Sequence, residues 1–384
     1  MDLHRKSNGH KLIDMNHLKL GILMLIILAN SGVYSQEDKQ QKEMIDPTVN
    51  TFCKPRVPDA EKLYEQITLP NGKQKVTIDN FVRAETNNYF KIRTDDGCFG
   101  KLCHNSGPAD VNHQSIIRTN RDTRYSYGIF DLSSPLTITI PDTKGRFISM
   151  MVINEDSYIR VFYEPGNYTL TKENTGTRFI HITVRVLADP NSAEDNKIVS
   201  EIQQSIGVKQ ANAGKLEIPD WDKESLNNTR NLLLALAKDL PNSKAAFGTE
   251  WEVTQVRQLL GTAGGYGGNP EKDAIYLNFN PPNDDGVTAY TLTFKDVPVD
   301  AFWSVSVYNA KGYYEVNKYN SYNFNSITSK KNADGSVTIR FGGDPNLPNF
   351  LYITKGWNYM IRLYRPRQEI LNGTWKCPEL VLVK

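Results

Sequence analysis

The hydrophobic pattern changes period several times along the chain, and each change marks a different kind of structure. Leu20–Ala29 is an unbroken apolar run of ten residues. Residues 36–58 are polar and aperiodic, which reads as a flexible arm. Residues 59–92 predict two short helices about a turn at Pro70-Asn71-Gly72. In the second of them Ile78, Phe81, Val82, Tyr89 and Phe90 recur at helical spacing, with Thr77 or Asp79 as cap. From about residue 115 the period drops to two. Leu136–Ile140 and Phe179–Val186 alternate cleanly, placing Ile180, Ile182, Val184 and Val186 inward and His181, Thr183 and Arg185 outward. Turn residues at Asp142–Gly145 and Pro165–Asn167 punctuate this stretch.

Residues 192–260 return to a helical pattern. Ser225–Asp239 carries a leucine-rich face ended by Pro241, and a further helix near Trp251–Leu260 is expected to stop at Gly261. Beyond residue 274, Thr288–Phe294, Phe302–Tyr308, Ser336–Phe341 and Tyr359–Tyr364 again read as short strands separated by Gly and Asn-Gly turns. The predicted class is mainly β (α+β), with two antiparallel sandwich or jelly-roll-like domains joined by a helical segment. The expected divisions are an N-terminal β domain over 59–190 with leading helices, a helical connector over 191–260, and a C-terminal β domain over 261–384.

The apolar run at Leu20–Ala29 is half the length of about 20 residues that a bilayer requires. It fits the core of a signal peptide over residues 1–35, with cleavage before Gln36 and Met15 as an alternative start. An exported, periplasmic or secreted protein with no membrane span after cleavage is therefore expected. The 384 residues carry 45 basic and 43 acidic side chains; removing residues 1–35 leaves 41 of each. Without a basic block, nucleic acid is not an expected partner, and long-range steering of a charged ligand is not this chain's device.

All four cysteines, Cys53, Cys98, Cys103 and Cys377, follow that segment. Disulfides persist in an exported protein, and four cysteines allow three pairings. Local spacing favours Cys98–Cys103, which leaves Cys53 and Cys377 near the two mature ends as a second pair. Cys98-x4-Cys103-His104 has no second matching pair, so no metal and no cofactor is expected.

No G-x-S-x-G motif occurs, which argues against an α/β-hydrolase. His104, His113 and His181 are the histidines after residue 35. His104, beside Cys103, is a candidate assistant to a nucleophile; His181 is expected on an outer strand face. The richest stretch is Arg118–Asp131, which gathers Arg121, Asp122, Arg124, Tyr125 and Tyr127. Arginines among tyrosines suit a carboxylate- or sulfate-bearing ligand. Asp122 and Asp156 are the candidate catalytic pair if the fold brings them together. Arg121, Tyr125 and Tyr158 are candidate binding residues beside them. Further along, Tyr308, Asn309 and Arg362 are candidate binding residues on an aromatic C-terminal sheet. Gly261–Gly268 has five glycines but no following Lys-Ser/Thr, so it reads as a bent, closely packed connection rather than a phosphate loop.

Several runs resemble a known pair of families. Asn80–Thr86, Arg118–Thr123 with Tyr125-Ser126, Asn154–Asp156 with Tyr158, and Pro165–Thr171 resemble bacterial domain-of-unknown-function family 1254. Gly261–Pro270, Val297–Asn309, Asp334–Ser336, and Trp357–Tyr359 with Arg362–Pro366 are similar to its usual partner, family 1214. The resemblance implies exported proteins of two β-rich domains, often loosely labelled carboxylesterases, with no established reaction. Arg124 stands where the first family commonly has Leu, Ser157 where His is common, and Ser106 where Arg is common. Two functions are expected from these residues. One is a hydrolase-like or small-ligand-binding protein of the cell envelope with a cleft near Arg121–Tyr125. The other is a non-catalytic module that binds a glycan or protein through the C-terminal sheet; self-association is left open.

Overall fold

The strand with the cleanest alternation lies at the centre of the first half of the fold. In the computed structural model, which describes residues 66–114, 118–240 and 242–384, it pairs on both sides within a five-stranded sheet. The order is β1 (Cys103–His104), β2 (Thr123–Asp131), β7 (Phe179–Leu187), β4 (Ile148–Asn154), β5 (Ile159–Phe162), all antiparallel. A three-stranded sheet, β6 (Gly166–Leu170), β3 (Leu136–Ile140), β8 (Gly207–Gln210), packs against it. Leu136, Ile138 and Ile140 meet Ile180, Ile182, Val184 and Val186 in one apolar core.

The second half is a sandwich of two four-stranded sheets. One runs β12 (Asn323–Asn325), β11 (Trp303–Tyr308), β15 (Asn358–Tyr364), β9 (Ala274–Phe279). The other runs β14 (Phe350–Leu351), β13 (Val337–Phe341), β10 (Tyr290–Phe294), β16 (Val381–Leu382), in which only β13 and β14 pair in parallel. Val305, Val307, Ile361 and Leu363 from the first sheet meet Leu292, Ile339 and Phe341 from the second. Trp303 and Trp357 lie in this same core, as does Tyr359. Trp303, Trp357 and Tyr359 of the C-terminal half therefore pack inward.

Helices close the layers. These are α1 (Phe81–Asp95), α2 (Lys172–Thr175), α3 (Ala193–Gln204), α4 (Lys223–Ala237), α5 (Gln255–Gly265) and α6 (Gln368–Leu371). Side-chain oxygens of Ser192, Asp222 and Thr254 accept from backbone N–H groups in the first turns of α3, α4 and α5. Phe81 and Ala84 of α1, Leu226 and Leu233 of α4, and Leu260 and Ala263 of α5 form a separate apolar cluster. Arg230 of α4 pairs with the buried Glu85 of α1, fixing that contact.

Several expectations change. Residues 66–80 form a small turn with a Thr68–Gln74 bridge, and Gly72 at φ +82° turns the chain there; the rest of the first expected helix lies outside the described residues. α1 starts after Asn80, which accepts from Thr77 N–H at 2.8 Å, rather than after Thr77 or Asp79. The segment 191–260 is not helical throughout: Gly207–Gln210 completes the three-stranded sheet. Helix α5 runs through Gly261 to Gly265, because a bare Cα is what the neighbouring chain permits. A Cβ at Gly261 would stand 2.8 Å from Cβ of Ala246.

The largest correction concerns β7. His181, Thr183 and Arg185 do face away from the apolar core, yet all three are buried. Alternation records which residues share a face; it does not record what covers that face.

Candidate functional site

The covered face of β7 is one wall of a cavity of about 430 Å³ between the two sandwiches. Register builds that wall. Tyr125 of β2 stands opposite Arg185 of β7, and Tyr127 opposite Thr183, so these side chains project to the same side. Helix α1 adds Tyr89 and Arg93, four residues apart on one helical face. Tyr266, just after α5, stacks on Tyr89 with ring centroids 4.1 Å apart. The C-terminal sheet closes the far side with Arg362 and Tyr364 of β15 and Tyr276 of β9.

The cavity is cationic. Arg93, Arg118, Arg185 and Arg362 all line it, and none of its described lining residues is Asp or Glu. Arg93 pairs with Asp96 on its solvent side at 3.1 Å and lies 4.4 Å above the ring of Tyr127. Arg362 is buried and donates to Ser306 Oγ (2.9 Å), Tyr308 Oη (2.8 Å) and the Arg118 carbonyl (2.7 Å). Arg118 sits at φ +52° and donates one Nη2 bond to Asn358 at 3.2 Å, while its buried Nε has no partner.

Arg185 is the least compensated charge. It is 8% exposed, contacts the Met151 sulfur at 3.8 Å and lies over the Tyr125 ring at 5.3 Å; no carboxylate among the described residues pairs with it. Burial disfavours its cation, and the hydroxyls of Tyr125, Tyr276 and Tyr364 more than offset that, so the guanidinium stays charged. The reciprocal effect falls on Tyr125. Burial raises its hydroxyl pKa, but Arg185 together with Asn120 and Thr123 outweighs burial and holds it below the ordinary value of 10. Asn120 Nδ2 donates to Tyr125 Oη at 3.2 Å and to Tyr364 Oη at 3.1 Å, bridging the two halves of the molecule.

His181 shares this wall. Its Nδ1 lies 3.1 Å from Tyr266 Oη, and burial, then Arg93 and Arg185, push its pKa down to about 3. It is neutral in the folded protein at neutral pH. An unfolded histidine takes up a proton near pH 6.5, so between about pH 6.5 and 3 the unfolded state binds more protons and stability falls as pH falls. The loss is at most about 1.4 kcal/mol per pH unit from this one group. His181→Gln is expected to flatten the dependence of urea midpoint on pH between 6.5 and 4.5. An unchanged slope would show that His181 is already charged or solvated.

The residues singled out from sequence divide between this cavity and elsewhere. Tyr125 and Arg362 line it together. Tyr308 lies behind Arg362, its hydroxyl directed at the Thr119 carbonyl at 3.1 Å. Arg121 is buried, donates to the Ala109 carbonyl and lies 5.1 Å over the ring of Tyr322, outside the cavity lining. Asn309 accepts from Lys311 and Tyr313 N–H groups and holds a surface turn. Tyr158 packs on the core of the first sandwich.

Asp122 and Asp156 do not meet. Asp122 lies beside Ala188 past one end of β7 and accepts from Asn323 Nδ2 (2.8 Å) and Asn325 Nδ2 (3.3 Å). Asp156 follows Asn154, which pairs with Ile180 at the other end, and forms an ion pair with Arg83. At ~3.3 Å per residue the strand separates them by roughly 25 Å, too far for paired acid–base work.

His104 Nδ1 is 2.8 Å from Ser126 Oγ, but Ser126 is fully buried and also receives Gln203 Nε2 at 3.1 Å, so it presents no hydroxyl to the cavity. Arg124 clamps the carbonyls of Asn105 and Asn196, and Ser157 forms the β4–β5 turn at φ +60°. Cys98 and Cys103 are joined, with Cα atoms 5.5 Å apart. Cys377 is free and burial raises its pKa to about 11; Cys53 lies outside the described residues. Among the described residues no group of three His, Cys, Asp or Glu side chains is placed to hold a metal ion.

Sequence reasoning passed over Arg93, Arg185, Tyr266 and Tyr276. The signal for Arg185 was partial: alternation put a basic group on the polar face of a long strand, and nothing in that strand says whether the face is covered.

Residues 99–177 match the family described as Protein of unknown function (DUF1254), and residues 280–368 match Protein of unknown function (DUF1214). No curated protein matches the chain. The VPA0106 protein from Vibrio parahaemolyticus superposes with a TM-score of 0.63 at 18% identity, covering 80% of this chain and 98% of its own. An uncharacterized protein from Burkholderia cenocepacia gives a TM-score of 0.46 at 14% identity, over 90% of this chain and 94% of its own. The first of these likenesses supports the fold.

Proposed function

We propose that this chain, which unites a DUF1254 domain with a DUF1214 domain, is an exported binding protein for a small organic anion held between its two sandwiches. One observation carries the reading: Arg118, Arg185 and Arg362 line a 430 Å³ cavity that has no carboxylate in its described lining, with Arg93, itself paired to Asp96, as a fourth guanidinium. Buried charges are ordinarily paired, because an isolated one costs several kcal/mol in desolvation. A carboxylate, sulfonate or phosphate on the ligand supplies the missing counter-charge through paired N–H···O bonds. The tyrosines around it supply flat apolar surface with hydroxyls at the rim, which suits an anion attached to an aromatic or aliphatic body. Export is supported by the Cys98–Cys103 disulfide and by the signal-like run at Leu20–Ala29.

The test is a thermal-shift panel on the chain from Gln36 onward. Benzoate, hexanoate and phenyl sulfonate are set against benzamide, benzyl alcohol and benzylamine. At about 100 times its Kd a ligand adds ~2.7 kcal/mol, a shift of several degrees. Stabilisation confined to the anions is the expected result; equal response to neutral and cationic analogues would sink the reading.

A catalytic form of this reading has one observation in its favour. The Tyr125 hydroxyl lines the cavity, lies beside Arg185 and accepts from Asn120 Nδ2 at 3.2 Å, and the Arg185 cation favours its ionised form. Turnover of carboxylate-bearing esters that Tyr125→Phe abolishes without loss of binding is the result it requires.

A further inference from the structure

A second, larger depression adjoins the cationic cavity. It is a groove of about 830 Å³ along β9, which is the outermost strand of its sheet. Leu240, Phe247, Leu260, Leu277 and Phe279 supply apolar lining, and the charged Arg257 and Glu271 line it as well. Its floor includes Gly264 and Gly265 of α5, both exposed, where side chains of ordinary size would fill the space. Beyond the groove, Leu234 extends the apolar surface at 40% exposure.

Two residues line both spaces, Tyr276 and Met360. Their position follows from register. Tyr276 is paired directly with Arg362, and Met360 lies two residues before Arg362 on the same face of β15. Tyr276, Met360 and Arg362 thus share one face of the sheet, whereas Leu277 and Phe279 of the same edge strand pack toward the core on the other face. Tyr276 is held by Asn269 Nδ2 at 2.6 Å, whereas Met360 is an unbranched thioether with three rotatable bonds, the adaptable half of the partition.

We infer that the ligand is an amphiphilic anion, with its charged head among Arg118, Arg185 and Arg362 and a hydrocarbon tail passing Met360 into the groove beside β9. This rests on the anion-binding reading above and names the ligand class more closely. The occupant is argued from adjacency: the wall common to the two spaces includes the unbranched, adaptable Met360.

The experiment is titration calorimetry of the chain from Gln36 onward with unbranched monocarboxylates from butanoate to dodecanoate, each below its micelle concentration. Full burial of a methylene gives about a fourfold gain in affinity. In a groove open on one side, a gain of about twofold per added methylene is expected once the chain passes Met360. Gly264→Leu should remove that gain, leaving dodecanoate no tighter than butanoate. A Cβ at Gly264 meets only Leu234 Cδ2, at 3.9 Å, and leucine is a better helix former than glycine, so the variant folds. Gly265→Leu is the independent second block, with Phe247 Cζ at 4.0 Å from its Cβ.

Affinity independent of chain length, with butanoate still bound, overturns the tail assignment and leaves the anion site standing. The tail assignment falls equally if Gly264→Leu changes oligomeric state in light scattering and not dodecanoate affinity, which would make the groove an interface between copies. If no carboxylate of any length binds, the anion reading fails and takes the tail assignment with it.

Discussion

Arg185→Met is expected to make the ligand-free protein more stable while abolishing anion binding. Arg185 is buried at 8% exposure with a thioether and a tyrosine for company and no acidic partner among the described residues. Methionine keeps most of the stem packing against Met151 and Tyr125 and removes a buried guanidinium that has tyrosine hydroxyls but no described carboxylate beside it. Replacing buried charge by a well-packed apolar side chain is worth about 1–4 kcal/mol in stability. Against the anion the sign reverses. Removing one member of a buried charge pair costs about 2–5 kcal/mol of binding, at least about thirtyfold in Kd. Urea unfolding and calorimetry on the same two proteins read both numbers. A destabilised Arg185→Met protein would mean that the guanidinium serves the fold and that its placement in the cavity is incidental.

Arg178→Met is expected to act in the opposite direction, costing about 2 kcal/mol at pH 7, less than a fully buried pair because about a third of the Arg178 side chain meets solvent. The carboxylate of Asp131 is buried to 1% and accepts from Arg178 Nε at 3.0 Å and Nη2 at 2.7 Å. Burial alone would raise its pKa; the two Arg178 bonds and those from Ser133 outweigh burial and hold it near 2. Gly214, at φ +71°, packs so closely against Asp131 that a Cβ there would collide with its carboxylate. Asp131 has a depressed folded-state pKa, so its stabilisation is present above about pH 4 and is lost as pH falls towards 2. The gap between wild type and Arg178→Met should therefore be wide at pH 7 and narrow at pH 3. A gap that stays constant across that range would show that lost packing, not the charge, is what the substitution removes.

In the sequence these two arginines differ only in parity, Arg178 falling in step with the apolar Ile180–Val186 set and Arg185 between its members. Both are basic residues near or within the Phe179–Leu187 strand, and both read as polar positions beside an alternating apolar set. Arg178 meets Asp131, which lies opposite Phe179 in the β2–β7 register, so its partner comes from the adjacent strand. Arg185 meets the second sandwich, whose strands begin some ninety residues later in the chain. The same distance effect separates Asp122 from Asp156. Both were legible as acids at strand ends, but only the pairing of β7 with β2 and β4 shows that they occupy opposite ends.

What the residues by themselves determined is local or near-local. Alternation located the strands Leu136–Ile140 and Phe179–Leu187, helical spacing located α1, and a five-residue separation was enough for Cys98–Cys103. Tyr125 and Arg362 were legible as binding residues by type, an arginine and a tyrosine in aromatic company. The tertiary structure alone decided that these two, 237 positions apart in the numbering, face one space with Arg118 and Arg185. It also decided that the polar face of β7 is interior. The reason is physical: side-chain periodicity is set by the backbone of one strand, whereas the covering of a face is set by long-range packing between two sandwiches. A single strand carries no trace of what packs on it.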